Sequence, residues 1–237
     1  MTLLEVCVDT AEGLAAAIVG GADRVELCSA LSEGGLTPSA GLMQAAAALP
    51  VPVYAMIRPR AGLFQFSAGD TAIMLADIAA ARAAGLAGVV LGVQGADGGL
   101  DGALLGQLSA AAGPLGRTLH RVIDVVPDPL LALDQAVSLG FDRVLTSGAK
   151  PTAPEGTAMI KRMVTRAGGA LSVMPGCGLT PENVADVMRQ TGAYEAHAAC
   201  SLPAAGDPAF SDFDPPGGRF ETSETEVRRM VRQIPHT

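Results

Sequence analysis

Short aliphatic runs alternate along the chain with longer Ala- and Leu-rich stretches, and eight such pairs are present. The aliphatic runs predict strands at 3–9, 24–29, 52–58, 88–93, 117–123, 143–147, 171–175 and 194–200. The other stretches predict helices near 11–20, 38–48, 68–84, 102–112, 128–139, 155–167 and 181–191, with a last helix at 222–233. Strand and helix alternate eight times without a break in this order. The alternation indicates an α/β fold, a single (β/α)8 barrel with parallel strands.

Three helix starts carry a capping residue followed by a first-turn proline, at Thr37-Pro38, Asp128-Pro129 and Thr180-Pro181. The chain also contains an internal echo, since GADRV at 21–25 resembles GFDRV at 140–144. The strands that follow are four units apart, as a duplicated half-barrel requires. A common preference of helix–strand junctions for glycine and a polar pair explains the echo equally well, so both explanations stay open.

The barrel is predicted to occupy residues 1–201, and residues 202–237 are predicted to form a C-terminal loop and terminal helix packed on the same domain. The Pro- and Gly-rich insert at 201–221 carries three phenylalanines, Phe210, Phe213 and Phe220. Loops of this length are usually lids, partner contacts or disordered segments. The phenylalanines argue against free exposure, so we expect either a lid over the barrel mouth or a subunit contact.

Composition narrows the classes of partner. The net charge of −8 and the pI near 4.8 argue against nucleic acid or an anionic membrane. The mean hydropathy is +0.35, yet no apolar run reaches the roughly 18 residues of a membrane helix. The chain enters a strand without a signal segment, and its four cysteines are expected to be reduced, which predicts a cytoplasmic protein. Its apolar helices predict a homodimer or a higher homo-oligomer.

The first two strands share an alternation of acids and thiols with aliphatic residues. Glu5, Cys7 and Asp9 are spaced to share one strand face, and Glu26 and Cys28 repeat the pattern. This face is predicted to line the barrel, with the aliphatic face under the helices. Two thiols from matching positions of neighbouring strands can reach one soft metal ion. Free cysteines are also common as small buried apolar residues, so this alternative remains open.

Chemistry in such barrels lies at the carboxyl ends of the strands. Glu5, Glu26 and Glu195 are predicted to lie one layer deeper in the barrel, where an unpaired charge is costly. We predict that Arg58 is the cation that neutralises them. The strand ends place many polar groups at the mouth: Cys7 and Asp9; Cys28 and Ser29; Arg58 and Arg60; Gln94; His120, Arg121 and Asp124; Thr146, Ser147 and Gly148; Gly176, Cys177 and Gly178; His197 and Cys200.

An anion-binding mouth is the rival to a metal site. Arg58, Arg60 and Arg121 offer planar forks for a carboxylate or phosphate. The loop containing Gly176 and Gly178 runs into a predicted helix start, where backbone N–H groups can bind an anion. Ser147 and Gly148 form a candidate second wall of that anion site.

If the protein is an enzyme, His120 and Asp124 are the first acid–base pair, with Arg121 beside them. In an extended strand this pair is about 13 Å apart, so a turn after Ile123 is required. Histidine on a strand is also commonly structural.

Several runs together resemble the CutC family of copper homeostasis proteins, over residues 3 to about 200: LEVCVD, GGADRVELCSALSEGGLTPS, PVYAMIRPR, HRVID, DRVLTSG, MPGCGLTPENV and EAHA. The resemblance implies a cytoplasmic TIM barrel whose Cu(I) ligands match Cys7 and Cys28. Cys177 departs from the family pattern, which usually has glycine there.

The sequence thus predicts a copper homeostasis protein that binds Cu(I) through paired thiols at the barrel mouth. The alternative is a TIM-barrel isomerase or lyase acting on a small anionic or phosphorylated substrate. A copper carrier requires Cys7 and Cys28, whereas the enzyme requires Arg58, Arg121 and His120.

Overall fold

The computed structural model describes residues 2–205, 209, 214–215 and 218–234. Its main strands are β1 Leu3–Val8, β2 Arg24–Leu27, β3 Val53–Met56, β4 Gly88–Leu91, β5 Gly116–Leu119, β6 Arg143–Thr146, β7 Ser172–Pro175 and β8 Glu195–Ala198. They form one parallel sheet in the order β7-β6-β5-β4-β3-β2-β1-β8. Its two end strands, β7 and β8, lie side by side, so the barrel is nearly closed. The predicted (β/α)8 barrel is therefore confirmed.

Helices alternate with these strands. Their bounds are α1 Ala11–Gly20, α2 Ala40–Ala46, α3 Ala68–Ala84, α4 Gly102–Ala112, α5 Pro129–Ser138, α6 Thr157–Ala167, α7 Val184–Thr191 and α8 Glu224–Gln233. A short antiparallel pair, β9 Ser201–Pro203 and β10 Phe220–Thr222, precedes α8. No helix of the described residues is both long and apolar enough to cross a membrane.

One of the three predicted helix starts is confirmed. Asp128 caps α5 and its carboxylate accepts two backbone N–H groups. The other two starts are wrong. The Thr37 hydroxyl is engaged by a backbone N–H at the end of β3, so α2 starts later, with Ser39 as its cap. Thr180 lies in a turn closed by a hydrogen bond to Asn183, and α7 begins only after that turn.

The aliphatic face of the first two strands packs under the helices, as the alternation predicts. Val6, Val8, Val25 and Leu27 are fully buried in the layer between the sheet and the helices. Burying a side chain of this size contributes about 1.5–3 kcal/mol. The opposite face is turned into the barrel, which leaves acids, thiols and bases to fill its interior.

Buried charges form a network inside the barrel. Arg24 forms ion pairs with both Glu5 and Glu195, and Arg143 Nε lies 3.0 Å from Glu195 Oε2. The prediction that Arg58 neutralises the deep glutamates is wrong, because Glu5 and Glu195 pair with the inward-facing first residues of β2 and β6, and Glu26 pairs with no arginine among the described residues. Ion pairs among such desolvated groups are costly to break from one side, since the remaining charge stays buried.

Tyr54 of β3 packs against the two arginines of this network. The guanidinium carbon of Arg143 lies 4.8 Å from the Tyr54 ring centre, and that of Arg24 lies 5.6 Å from it. The ring crosses Gly88 and Gly116, where an added Cβ would lie 2.1 and 2.2 Å from its atoms. Glycine is therefore required on two neighbouring strands because the aromatic ring occupies the space of their side chains.

The internal echo has a structural role at both of its positions. Asp23 Oδ2 accepts a backbone hydrogen bond from β1 at 2.9 Å, and Asp142 Oδ2 accepts one from β5 at 2.7 Å. The next residue in each copy, Arg24 or Arg143, enters the charged interior. Each copy thus fixes the preceding strand and supplies one cation to the barrel.

The fifth strand is shorter than the predicted segment 117–123. β5 ends at Leu119, and Arg121–Asp124 forms a 3₁₀ turn. His120 ends the strand because its ring Nδ1 accepts the Val122 N–H at 3.1 Å and so caps the turn. The turn that was expected after Ile123 therefore begins at His120.

The C-terminal helix lies against the barrel. Val227 of α8 is fully buried and packs against Gly20 at the end of α1. Phe220 lines the mouth and is 58% exposed in the single chain. Phe210 and Phe213 lie outside the described residues, so the lid or subunit contact stays a prediction.

We expect Gly20→Ala to destabilise the protein, because a Cβ there would lie 2.5 Å from the Cβ of Val227. Overpacking of this kind costs about 1–3 kcal/mol of unfolding free energy, measurable by urea denaturation. The control is the double variant Gly20→Ala/Val227→Gly, in which the clashing Cβ of residue 227 is absent, so its loss should be smaller than the sum of the single losses. Simple additivity would contradict direct packing of α1 on α8 at this point.

Candidate functional site

The carboxyl ends of the strands open into a cavity of about 1210 Å³. Its lining includes five of the residues predicted for the mouth sites, namely Cys7, Arg58, His120, Arg121 and Gly178. The six other predicted site residues lie outside the lining, namely Cys28, Arg60, Asp124, Ser147, Gly148 and Gly176. The position of the cavity agrees with the general location of chemistry in this fold.

One wall gathers three potential metal-binding side chains. The candidate ligand atoms of Cys7, Glu26 and His197 all lie within 4.8 Å of one another, and all three residues are buried. Strand register explains this, since Cys7 is the cross-strand partner of Glu26, and His197 lies on the next strand, β8, opposite Glu5. A thiol, an imidazole and a carboxylate are together ligands for zinc or copper.

The His197 ring is held by carboxylates on both sides. Its Nδ1 lies 2.8 Å from Glu5 Oε1, and its Nε2 lies 3.8 Å from Glu26 Oε2. Burial opposes the charged ring, but facing Cys7, Glu26 and Glu5 raise the pKa of His197 well above its usual range. The bond to Glu5 directs Nε2 toward Cys7 and Glu26, the arrangement in which a carboxylate orients a metal-binding histidine.

The pKa values of the two carboxyl groups of this wall, Glu5 and Glu26, are shifted in opposite directions. Burial raises the pKa of Glu5, but Arg24 and His197 outweigh it and lower that pKa to about 2. Burial dominates at Glu26 and raises its pKa to about 7. In addition, Glu26 Oε1 is buried and has no hydrogen-bond partner among the described groups. Glu26 is therefore the underused acceptor of the cluster.

Cys28 lies further along β2 than the matching position that the sequence predicts. Cys7 pairs with Glu26, and Cys28 is the next inward-facing residue after Glu26. Its Sγ lies 3.6 Å from Glu26 Oε2, and Gly35 covers it so closely that an added Cβ would be 3.1 Å from the sulfur. Burial, and then the negative charge of Glu26, raise the pKa of Cys28 well above its usual range. The two thiols thus flank one carboxylate.

The loop after β6 already contains a carboxylate. Asp124 accepts the N–H groups of Ser147 and Ala149, at distances from 2.9 to 3.1 Å, and its Oδ2 lies 2.9 Å from Arg121 Nε. The N–H of Gly148 is bound to the Thr146 hydroxyl at 2.9 Å. The donors that the anion-site prediction assigned to this loop are therefore engaged within the protein.

His120 and Asp124 do not form the expected pair. Asp124 is bound by the β6 loop, whereas His120 Nδ1 accepts a backbone N–H and its Nε2 has no partner among the described groups. Burial, and then the positive charge of Arg58, lower the pKa of His120 to about 3. His120 is consequently a neutral imidazole on the cavity wall.

The predicted arginine forks are also separated. Arg58 lines the cavity, but its terminal nitrogens donate to the carbonyl oxygens of Glu33, Gly35 and Gly62 at 2.8 to 3.2 Å. Arg60 lies on the outside, where its Nε is 3.1 Å from an Asp70 oxygen and its guanidinium stacks over an aromatic ring. Only Arg58 and Arg121 of the three face the mouth.

The loop after β7 carries backbone strain at Cys177. This residue has φ of +73°, in the left-handed region that favours glycine. Its Sγ lies 3.2 Å from the Pro151 carbonyl oxygen, and its own carbonyl accepts the Ala153 N–H at 2.9 Å. Gly176 N–H is bound to the Thr146 carbonyl, so this N–H is not free for an anion.

Sequence reasoning missed two parts of this site. It left Arg24 and Arg143 unassigned, although the echo GADRV/GFDRV places each directly before a valine of the helix-facing side and so at an inward-facing position. It also treated His197 separately from Cys7 and Glu26, because the pairing of the last strand with the first exists only when the barrel closes.

Fold and site together define a (β/α)8-barrel protein whose mouth gathers thiol, imidazole and carboxylate donors on one wall. The CutC family model matches residues 2–202. A CutC family protein of Sinorhizobium medicae (strain WSM419) is 56% identical over 199 residues, which cover 84% of this chain and 81% of that protein. The copper homeostasis protein cutC homolog of Homo sapiens is 46% identical over 196 residues, 82% of this chain and 72% of that protein. The chain therefore belongs to the CutC family.

Solved structures agree with the fold. The copper homeostasis protein CutC of Streptococcus agalactiae has a TM-score of 0.81 and 33% identity, covering 84% of this chain and 99% of that chain. Thiamine phosphate pyrophosphorylase of Pyrococcus furiosus has a TM-score of 0.63 at 14% identity, covering 98% of this chain and 95% of that chain. The second similarity concerns the barrel fold alone.

We expect Cys177→Gly to raise the unfolding free energy by about 1 kcal/mol, because glycine adopts positive φ without steric strain. Urea unfolding measures the change. Cys177→Ala is the matched control: it removes the sulfur but keeps a Cβ, so no gain is expected. An equal gain in Cys177→Ala would show that the sulfur, and not the backbone, carries the effect.

We expect Glu26→Gln to stabilise the metal-free protein at about pH 8 by up to about 3 kcal/mol. The Glu26 pKa is raised from 4.5 to about 7, so its favourable contribution is complete below pH 4.5 and is lost as the pH rises through 7. The neutral amide avoids that loss, and the difference from wild type should vanish near pH 4.5. Urea unfolding at both pH values, with exposed Glu12→Gln as the control, measures this. A pH-independent effect would contradict the assignment.

Proposed function

We propose that this chain binds Cu(I) as cargo at the barrel mouth and acts in copper homeostasis in the cytoplasm. The observation that carries the proposal is the buried group of Cys7, Glu26 and His197, with the Cys28 thiol beside Glu26. Four free cysteines fit a reducing compartment. The human and streptococcal relatives bear copper homeostasis names, which supports the same role here.

The donor set fits a soft ion. Cu(I) favours thiolate ligands and also accepts imidazole. Cys7 and Cys28 supply the sulfurs, and His197 presents Nε2 on the same wall because Glu5 holds its Nδ1. The raised pKa of His197 keeps its ring protonated without metal, so binding of the ion would release the Nε2 proton to solvent. Since Cys7 and the His197 ring line the open cavity, an ion can reach these atoms from the mouth.

Glu26 has a distinct part in this proposal. A thiol must lose its proton before it binds a metal, and the Cys28 thiol resists that loss because it is buried beside negative charge. Glu26 lies 3.6 Å from Cys28 Sγ, and burial raises the Glu26 pKa to about 7. Glu26 can therefore accept the thiol proton near neutral pH, while the positive charge of the ion replaces that proton.

An anaerobic Cu(I) titration against a chromogenic chelator tests the proposal on the reduced protein. We expect one ion per chain, and a loss of affinity of roughly 100-fold or more in Cys7→Ser/Cys28→Ser, since thiolates dominate Cu(I) binding. His197→Gln should weaken binding by roughly 10- to 100-fold. Cys177→Ser is the matched control, because its sulfur lies on the Pro151 carbonyl.

Two results would contradict the proposal. If Cys7→Ser/Cys28→Ser binds Cu(I) as tightly as wild type, the wall is no copper site. If Cys177→Ser alone reduces the affinity, the site lies at the rim of the mouth instead. Circular dichroism of each variant, recorded without metal, separates loss of ligands from loss of fold.

A further inference from the structure

A buried cation without a counter-ion lies on the β3 side of the cavity. Arg58 is only 6% exposed, and it forms no ion pair with any carboxylate that the structure describes. Its two terminal nitrogens bind carbonyl oxygens, and Glu33 affects it electrostatically without forming an ion pair. Its Nε is buried and has no hydrogen-bond partner among the described groups. An unpaired buried charge is costly, so this position favours an anion.

A second unused donor belongs to the same wall. His120 is 3% exposed, and its Nδ1 accepts the Val122 N–H at 3.1 Å. Because Nδ1 acts as an acceptor, the proton of the neutral ring is on Nε2. That Nε2 is buried and has no partner among the described atoms. An unsatisfied buried donor of this kind is uncommon in folded proteins and calls for a physical explanation.

One aromatic ring connects the two groups. Phe64 has its ring centre 4.6 Å from that of His120 and 5.1 Å from the guanidinium carbon of Arg58. Gly92 lies so close to the imidazole that an added Cβ would be 2.0 Å from a ring atom, so this glycine leaves the space that the His120 ring occupies. Phe64, which comes from the loop after β3, thus contacts both groups.

We propose that Arg58 and His120 form a binding site for the carboxylate group of a small organic anion, with Phe64 as its apolar cover. Two single donors, Arg58 Nε–H and His120 Nε2–H, match the two oxygens of one carboxylate. One positive charge balances one negative charge. A phosphate dianion has more charge and more oxygen atoms than these two donors satisfy. Met56 and Leu145 line the same cavity and offer apolar contact to the rest of the ligand.

This site is distinct from the proposed copper site. Arg58 and His120 follow β3 and β5, whereas Cys7, Glu26 and His197 belong to β1, β2 and β8. Cys28, the second thiol of the copper proposal, acts on Arg58 electrostatically, but the two sites share no binding atom, so the two proposals are tested by different variants. Carboxylate binding is expected to persist in Cys7→Ser/Cys28→Ser, and Cu(I) affinity is expected to persist in His120→Phe.

The chain contains no tryptophan, so Phe64→Trp introduces a single fluorescent reporter at the cover. Acetate, propionate and butyrate are titrated at constant ionic strength, with chloride and inorganic phosphate as comparison anions. We expect a saturable fluorescence change with the carboxylates and affinity at least roughly tenfold weaker for phosphate. Arg58→Lys and His120→Phe, each in the reporter background, should weaken binding by roughly tenfold or more. Arg166→Lys is the matched control, because Arg166 lies outside the cavity and pairs with Asp134 on the surface.

A second measurement uses the unmodified protein, which avoids variants that fail to fold. The chain has three histidines, so their ¹⁵N resonances are readily distinguished by labelling. Propionate should shift the His120 Nε2 resonance in a saturable way and leave that of His197 unchanged. Tighter binding of phosphate, a shift at His197 alone, or no saturable response to any carboxylate would overturn the proposal.

Discussion

The need to neutralise charge inside the barrel governs the rest of this structure. Glu5, Glu195, Arg24 and Arg143 occupy space that aliphatic layers fill in many barrels of this type. Ion pairs in such a place gain little net free energy over apolar packing, but each partner becomes costly to remove alone. The network therefore constrains the register of β1, β2, β6 and β8 more than it adds to stability.

The same constraint gives the mouth its chemistry. Glu5 is bound by Arg24 below and by His197 above, so the position of the metal-binding imidazole follows from the buried ion pair. Glu26 has no arginine in direct contact and consequently holds its proton at higher pH than Glu5. Two carboxylates only one inward position apart thus differ in charge near neutral pH because one has a cation beside it and the other does not.

Sequence patterns predicted the barrel, the inward face of the first strands and Cys7 at the mouth, because period-two alternation records which face of a strand is buried. They did not predict contacts made by closure of the barrel, such as Cys7 with His197, because those residues are 190 positions apart in the chain. They also failed where a side chain ends its own strand. His120 reads as part of an aliphatic run, and only its hydrogen bond to the following backbone shows that the run turns. The choice of Arg58 as partner of the glutamates failed because its guanidinium is held by loop carbonyls.

Asp124 has a consequence for how this barrel relates to anion receptors. Loops late in (β/α)8 barrels frequently receive a phosphate group, and here backbone N–H groups converge in the same manner after β6. Here the protein supplies the anion itself, as the covalently attached carboxylate of Asp124. An external oxyanion must therefore displace a tethered competitor to use these N–H groups, so the loop is self-inhibited as a receptor.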